Sequence, residues 1–294
     1  MKQPSPPTKN KAEEIAKTTA IAMLNVPEDS TCRGSAEENT QEGHCSVTAS
    51  RQHYKTAESD SEMSRRAKEE GCMNVVFPGT VTKEGCCRFV SEVLKFILFQ
   101  RQQLPMTFDQ LVYSQRKQQD KSDEAVVSQK QVHQANLNRR KCQKTLQAVE
   151  EVLQQLEVLF SMSHVPRVLL LIGGSVTLPK EIYEINMENL VLDRGVHCLR
   201  VSTCLRHLFR SLFVADFLSD SGPVRLTTTR VLALAHRDCG VGWFHPKLHF
   251  KLPTCVKNQI IALSSDPCSC GNTNMDRQEY VWFQAPTAIN GFCL

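Results

Sequence analysis

Several side chains in the last third of the chain could bind a metal ion. They are His236, Cys239, His245 and His249, which stand within 14 residues of one another. Imidazole nitrogens and thiolate sulfurs are ligands that zinc accepts readily. Cys268 and Cys270 add two thiols, but the region contains no Cys-x-x-Cys pair of the kind that zinc sites use. A metal-dependent enzyme built on this cluster is therefore an alternative, and the leading expectation is that the chain holds no metal and no cofactor.

Three other short patterns resemble parts of catalytic sites. Residues 173–175, Gly-Gly-Ser, follow a predicted strand but lack the Gly-Lys-Ser/Thr ending of a phosphate-binding loop. Residues 236–238 spell the kinase triplet His-Arg-Asp, without the Asp-Phe-Gly motif that accompanies it. Cys86 and Cys87 stand where a helix begins, which can lower the pKa of a thiol, but their apolar neighbours favour two packed thiols. These patterns do not indicate an enzyme.

The composition narrows the remaining classes of protein. The 294 residues carry a net charge of +4, which is too small to indicate a nucleic-acid-binding face. No apolar run reaches the roughly 18 residues that a membrane span needs. The 13 cysteines are scattered, so reduced thiols in the cytosol or nucleus are expected. We predict no nucleic acid, no membrane and no small-molecule substrate among the partners.

The sequence divides into a polar N-terminal part and a longer part with periodic apolar residues. Residues 1–70 contain one aromatic residue, Tyr54, and are predicted to be a disordered tail because they cannot bury enough apolar surface to fold. Residues 71–294 are predicted to form a single domain. Within it, residues 118–137 are polar and have no period, so a flexible loop is expected there.

The stretch from residue 85 to residue 105 has the strongest helical pattern. One apolar stripe contains Cys86, Val90, Val93, Leu94, Ile97 and Leu98. Phe89, Phe96 and Gln100 fall on a second face, and Pro105 is expected to end the helix. A helix with two apolar faces needs two neighbours. The first can be a sheet, and the second can be another helix of the chain or a partner protein.

The other elements are predicted from periodicity and from capping or turn residues. Thr107 and Gln110 have the spacing of a capping box before a helix over residues 108–117. Further helices are expected from residue 138 to Pro166 and around residues 205–217. Strands are expected at residues 74–79, 167–172, 183–187, 224–236, 248–252, 259–263 and 280–283, with 167–172 buried on both faces and 183–187 half-buried. Helices come first and most strands come later, which predicts an α+β fold with helices packed on a mainly antiparallel sheet.

Four blocks of sequence resemble a known family. They are residues 75–79 with 84–87, residues 100–105 (Gln-Arg-Gln-Gln-Leu-Pro), residues 165–169, and residues 239–248 with Trp243-Phe244 and Pro246-Lys247-Leu248. The closing residues 282–286 and 291–292 belong to the same set. The chain from Asn74 to Phe292 thereby resembles the comet family, HORMA-like proteins that bind the spindle-checkpoint component mitotic arrest deficient 2.

The resemblance implies a function without catalysis. Such proteins recognise the closed conformer of mitotic arrest deficient 2-like protein 1 and present it to an AAA+ remodelling ATPase of the thyroid receptor-interacting family. The ATPase reopens that partner, which silences the spindle assembly checkpoint. The resemblance also implies a location in nucleus and cytoplasm, with spindle or kinetochore in mitosis.

The resemblance assigns four site residues. The family's partner-contact glutamine and phenylalanine fall on Gln100 and Phe209, although core packing is the alternative role for Phe209. The Pro-Lys pair that engages the ATPase falls on Pro246 and Lys247, which are expected at a surface turn. The strand near Trp282 would occupy the groove in which other HORMA proteins hold a peptide. A HORMA module that closes around another partner's peptide remains an alternative.

Overall fold

The computed structural model describes residues 60–119, 129–193, 198–216, 218, 222, 224–256, 258–266 and 279–293. These residues contain five helices and eight strands. The helices are α1 Asp60–Glu70, α2 Lys83–Gln100, α3 Phe108–Gln119, α4 Gln129–Met162 and α5 Val201–Val214. The strands are β1 Cys72–Phe77, β2 Arg167–Ile172, β3 Glu181–Asn189, β4 Thr228–His236, β5 His245–Lys247, β6 Asn258–Ser265, β7 Tyr280–Gln284 and β8 Ile289–Asn290.

All eight strands belong to one mixed sheet. The spatial order is β1-β6-β3-β2-β4-β7-β5, and β8 pairs with β4 beside this path. Strand β6 runs parallel to both of its neighbours, β1 and β3, whereas the other pairs are antiparallel. Strand β2 lies near the centre, and every residue after Arg167 is buried. The predicted α+β class, the mainly antiparallel sheet and the central position of residues 167–172 are confirmed.

One face of the sheet is covered by helices. Val168, Leu170 and Ile172 of β2 point into this layer, where they join apolar residues of α2, α4 and α5 in the main core. Helix α2 contacts both α4 and α5, and Phe89 and Leu94 on it are fully buried. The two apolar faces predicted for this helix therefore both find neighbours within the chain.

The opposite face of the sheet carries a smaller core. Leu169, Leu171, Ile182 and Leu232 form its floor. Phe250, Leu252 and Val256 pack on that floor together with Trp282. The predicted strand over residues 248–252 is wrong, because the chain turns there. The Phe250 N–H donates to the Lys247 carbonyl at 3.1 Å, and Leu248 is 73% exposed.

A charged residue is buried in this second layer. Glu184 on β3 is fully buried and accepts hydrogen bonds from Arg167 Nε at 2.6 Å and Asn258 Nδ2 at 2.7 Å. The Arg167 guanidinium lies over the Trp282 ring at 5.8 Å. The half-buried strand predicted at residues 183–187 is therefore buried on both faces. Its polar residues are inside because they have partners there, which a period of two cannot indicate.

The two largest differences between predicted and observed boundaries are at α1 and α4. Helix α1 occupies residues 60–70 of the predicted tail, and Ala67 joins the main core. Residues 1–59 lie outside the described residues, so the tail prediction for them stays a prediction. Helix α4 begins at Gln129 within the predicted loop, of which residues 120–128 also lie outside the described residues. The sequence there is rich in Gln, Lys and Asn, and helices of polar residues have no apolar period to reveal them.

Candidate partner-binding surfaces

An aromatic cluster joins α2 to α5. The Phe96 ring meets the Phe209 ring edge-on, with centroids 5.5 Å apart, and meets the Phe213 ring in the same way at 5.7 Å. Gln100 follows Phe96 by one helical turn and so lies on the same face of α2. We call these four residues, Phe96, Gln100, Phe209 and Phe213, the α2–α5 surface. Gln100 and Phe213 are half-buried.

Phe209 itself is 5% exposed and belongs to the main core. In the unbound chain its ring is therefore held by its own neighbours, which is the packing role weighed as the alternative. Gln100 is more accessible than Phe209. Gln100 and Phe209 are linked through Phe96, which lies one turn before Gln100 and contacts Phe209, and the contact of either residue with a partner stays a prediction.

Helix α2 ends in a Schellman motif, four residues before Pro105. The Gln103 N–H donates to the Leu98 carbonyl at 2.8 Å, and the Gln102 N–H donates to the Phe99 carbonyl at 2.9 Å. Gln102 has φ +54°, in the left-handed region that glycine usually occupies at this position. The helix thus ends through backbone geometry before Pro105, and the predicted role of Pro105 as the stop is wrong.

The Arg101 side chain anchors this end of α2 to the start of β3. Its side chain is 4% exposed and forms an ion pair with Glu181 at the start of β3. Nε donates to Glu181 Oε2 at 2.9 Å, and an Nη donates to the Gly222 carbonyl at 2.6 Å. The Tyr183 hydroxyl donates to the same Oε2 at 3.0 Å. Burial, followed by the Glu181 charge, raises the pKa of Tyr183, which keeps this hydroxyl a donor.

Gln103 joins the helix end to the C-terminal residues. It is fully buried, and its Nε2 donates to the Arg101 carbonyl at 2.9 Å. Its Oε1 accepts from the Thr227 N–H at 2.9 Å, and its main-chain carbonyl accepts from the Phe292 N–H at 3.0 Å. Sequence reasoning missed Arg101 and Gln103. No local signal indicates their burial, because it depends on partners that are distant in the sequence, Glu181 and Thr227.

Pro246 and Lys247 lie on β5, the last strand of the sheet. Both are exposed, and they pair with Phe283 and Trp282 of β7. The predicted surface turn is therefore an edge strand, and the turn follows it. Proline is tolerated on edge strands because it has no N–H to contribute to a sheet ladder.

The two candidate surfaces lie on different elements of the fold. Phe209 is on α5, and Gln100 ends α2, whose cap is bound to β3 and to the start of β4. Helix α5 packs against β1, the first strand in the spatial order, whereas β5 is the last. Six intervals between the seven strands of this order, at about 4.8 Å each, give the sheet a width of about 29 Å. The α2–α5 surface and β5 have no residue in common.

The four candidate metal ligands are not assembled into a site. Among the described residues, no group of three or more His, Cys, Asp and Glu side chains could hold a metal ion. His236 Nε2 lies 3.0 Å from Glu279 Oε2, and Cys239 is buried. His245 and His249 are exposed. Cys268 and Cys270 lie outside the described residues.

The other catalytic patterns have structural roles. Gly173 begins the turn between β2 and β3 with φ +149°, where a Cβ would come within 2.8 Å of the Lys180 nitrogen. This turn joins two antiparallel strands and does not open a helix, as a phosphate loop would. Burial raises the pKa of Cys86 to about 12, so at neutral pH it is a thiol and not a nucleophilic thiolate.

No helix in the described part of the chain has the length and apolarity to cross a membrane.

Comparisons with known proteins agree with the resemblance. The profile of the p31comet family, described as Mad1 and Cdc20-bound-Mad2 binding, matches residues 30–293. The MAD2L1-binding protein of Homo sapiens is 41% identical over 218 residues, which cover 74% of this chain and 78% of the relative. The MAD2L1-binding protein of Mus musculus is 40% identical over 224 residues, with the same shares.

The α+β fold and the family match define a HORMA-like protein. The chain belongs to the p31comet family. The family match begins at residue 30, inside the segment predicted to be a disordered tail.

Proposed function

We propose that this chain is a non-catalytic adaptor of the spindle assembly checkpoint. It binds the closed conformer of MAD2L1 and presents it to an AAA+ remodelling ATPase, which reopens the bound protein and silences the checkpoint. The observation that carries this proposal is the membership in a family whose curated members are MAD2L1-binding proteins. An adaptor also needs two separate surfaces, and we propose that these are the α2–α5 surface and strand β5.

In this proposal MAD2L1 binds at the α2–α5 surface. Gln100 can donate and accept hydrogen bonds at the end of α2, and the half-buried Phe213 ring offers apolar area beside it. Phe209 supports the surface through its contact with Phe96 and reaches the partner through the small part of its ring that is exposed. Aromatic residues and directed polar groups are the usual anchors of protein interfaces.

The ATPase binds at the β5 edge. Pro246 and Lys247 are exposed there, and Leu248 beyond them is 73% exposed. Lys247 gives this edge a positive charge, and Pro246 and Leu248 give it apolar area. Strand β5 shares no residue with the α2–α5 surface, so the proposal gives the two partners different contact residues.

The chain works without switching its own fold. Strand β7 lies between β4 and β5 and pairs with both, so this position of the sheet is already filled by the chain itself. We propose that β7 occupies the peptide groove of other HORMA proteins. The proposed locations are nucleus and cytoplasm, with spindle or kinetochore in mitosis.

Selectivity for one conformer of MAD2L1 tests the proposal. Purified full-length chain is titrated with MAD2L1 locked in its closed form and, separately, in its open form. We expect binding to the closed form only, and we expect Gln100→Ala to weaken it about tenfold or more without lowering the melting temperature. Equal binding of both conformers, or of neither, would contradict the proposal. Stoichiometric zinc in the purified protein would support the metal-dependent alternative.

A further inference from the structure

We propose that residues 290–292, near the C-terminus, position Gln100 for the partner by acting through Gln103. This inference rests on the proposed function, because it concerns the glutamine at the MAD2L1 surface. It assigns a positioning role to Gln103 and Gly291. In this role they act on the partner only through Gln100.

Hydrogen bonds join the C-terminal residues to Gln103, both directly and through Thr227. Gly291 N–H donates to the Thr227 carbonyl at 2.9 Å, and Phe292 N–H donates to the Gln103 carbonyl at 3.0 Å. The Thr227 N–H in turn donates to Gln103 Oε1 at 2.9 Å. Gln103 is therefore held on both its main chain and its side chain by residues that are distant in sequence.

The C-terminal residues are themselves fixed from two further elements. Thr145 of α4 donates from its hydroxyl to the Asn290 carbonyl at 2.8 Å. Thr228 of β4 donates to the Asn290 side-chain oxygen at 2.9 Å. Phe292 is 4% exposed and lies in the main core. The segment is thus a rigid support for Gln103.

Gln103 in turn determines how α2 ends. Its N–H closes the Schellman motif on Leu98, and its side chain binds the Arg101 carbonyl. Gln100 is the last residue of α2 and stands just before this cap. The cap keeps the neighbouring Gln102 in left-handed geometry, which costs a non-glycine residue energy and persists only where its surroundings enforce it. If the support loosens, the helix end can unwind, and Gln100 must then be ordered at binding.

Gly291 is the position that tests this support most directly. A Cβ at residue 291 would lie 2.5 Å from Gln103 Oε1 and 3.2 Å from both the Gln103 and Thr227 carbonyl oxygens. Gln103 Oε1 cannot move aside without losing its bond to Thr227. Gly291→Ala therefore displaces Gln103 from a site nearly 190 residues away in the sequence. Gly174→Ala is the matched control, because a Cβ there meets no atom within 4 Å.

The experiment is a double-mutant cycle on binding to closed MAD2L1. We expect Gly291→Ala to weaken binding about tenfold and Gly174→Ala to leave it unchanged. In a Gln100→Ala background, Gly291→Ala should add no further loss, because the residue through which it acts is already gone. A milder variant, Thr145→Val, removes the hydroxyl that holds Asn290 and should give about a threefold loss with the same dependence on Gln100.

Each outcome separates this inference from the proposed function. If the wild-type chain does not bind closed MAD2L1, or if Gln100→Ala binds as wild type, the proposed site itself is wrong. If Gln100→Ala weakens binding but Gly291→Ala and Thr145→Val do not, the positioning role is wrong. The same loss in both backgrounds would indicate general destabilisation and would also overturn it. Melting curves on all variants show which of them are folded at the temperature of the titration.

Discussion

The four residues from Gln100 to Gln103 combine two functions within one short segment. Gln100 and Gln102 are reached by water, whereas Arg101 and Gln103 are buried and bound to distant parts of the chain. The buried pair fixes the direction of the backbone, and the accessible pair can contact another protein. A binding surface gains affinity when its residues are ordered before the partner arrives. We propose that this arrangement orders Gln100, a side chain with several rotatable bonds, for a specific contact at the helix end.

The sequence predicted only one residue of this segment as functional. Gln100 could be assigned from the family pattern and from its place on the second face of a predicted helix. Arg101 could not, because its partner Glu181 is 80 residues away. Buried polar groups are determined by their partners in three dimensions. Neither local periodicity nor propensity contains that information.

Phe209→Ala should change stability as well as binding. The ring is 5% exposed and packs on Phe96, so its removal leaves a cavity that costs about 3–5 kcal/mol, or a melting temperature lower by about 10 °C. Where the variant is still folded, we expect weaker binding to closed MAD2L1. Thermal melts and titrations below the transition measure the two effects.

Gln100→Ala is the comparison for this variant, because Gln100 is half-buried and should affect binding alone. A Phe209→Ala protein that melts like wild type would contradict the observed packing. One that melts lower and yet binds normally when folded would remove Phe209 from the partner site.

At the scale of the elements, the strongest local signals were the most reliable. The strand at residues 167–172 has the predicted bounds, and Thr107 and Gln110 form the predicted reciprocal cap on α3, each bond being 3.4 Å long. The alternating pattern at residues 248–252 was misleading. Its apolar side chains Phe250 and Leu252 do pack on the sheet, but from a segment that crosses it and does not pair with it. Alternation indicates which side chains can pack on a core, although Leu248 of the same pattern is exposed, and pairing depends on where the segment lies.

Helix α1 should stabilise the domain, although it lies in the segment predicted to be a tail. It packs on β1 and α5, buries Ala67, and ends at Gly71, whose φ of +66° is left-handed. We expect a chain that begins at Asp60 to be as stable as the full chain. A chain that begins at Gly71 should lose about 1–2 kcal/mol, because the surface under α1 is exposed to water.

Denaturant unfolding of the two shortened chains measures this difference. Both should bind closed MAD2L1 when folded, since the partner-contact residues lie on α2 and α5. Equal stability of the two chains would show that α1 contributes nothing. Loss of binding by a stable chain beginning at Asp60 would show that residues 1–59 contain a contact that the proposal omits.

At the scale of the whole molecule, the two proposed surfaces lie on different elements around one sheet. Its first edge is covered by α5, and its last edge is the short strand β5. The only described contacts of β5 with a neighbouring strand are those with β7, whose continuation leads to residues 289–292 and so to Gln103. The C-terminal part of the chain therefore runs physically from one proposed surface to the other. The sequence predicted the class of fold, but not this path, because sheet order depends on long-range pairing.

The separation of the surfaces leads to the last prediction, on Pro246→Ala combined with Lys247→Ala. Both side chains are exposed, so the double variant should keep its stability within about 0.5 kcal/mol. It should bind closed MAD2L1 with wild-type affinity, because neither residue belongs to the α2–α5 surface. Stimulation of the AAA+ ATPase should fall about tenfold, since an exposed lysine and a rigid proline are lost from the proposed contact.

Lys251→Ala removes the same charge four residues further on, from another exposed position, and should leave the stimulation unchanged. Steady-state ATPase assays with and without MAD2L1, beside binding titrations, measure both activities. A parallel loss of binding and stimulation would contradict two independent surfaces, and an equal effect of Lys251→Ala would reduce the contact to a general effect of charge.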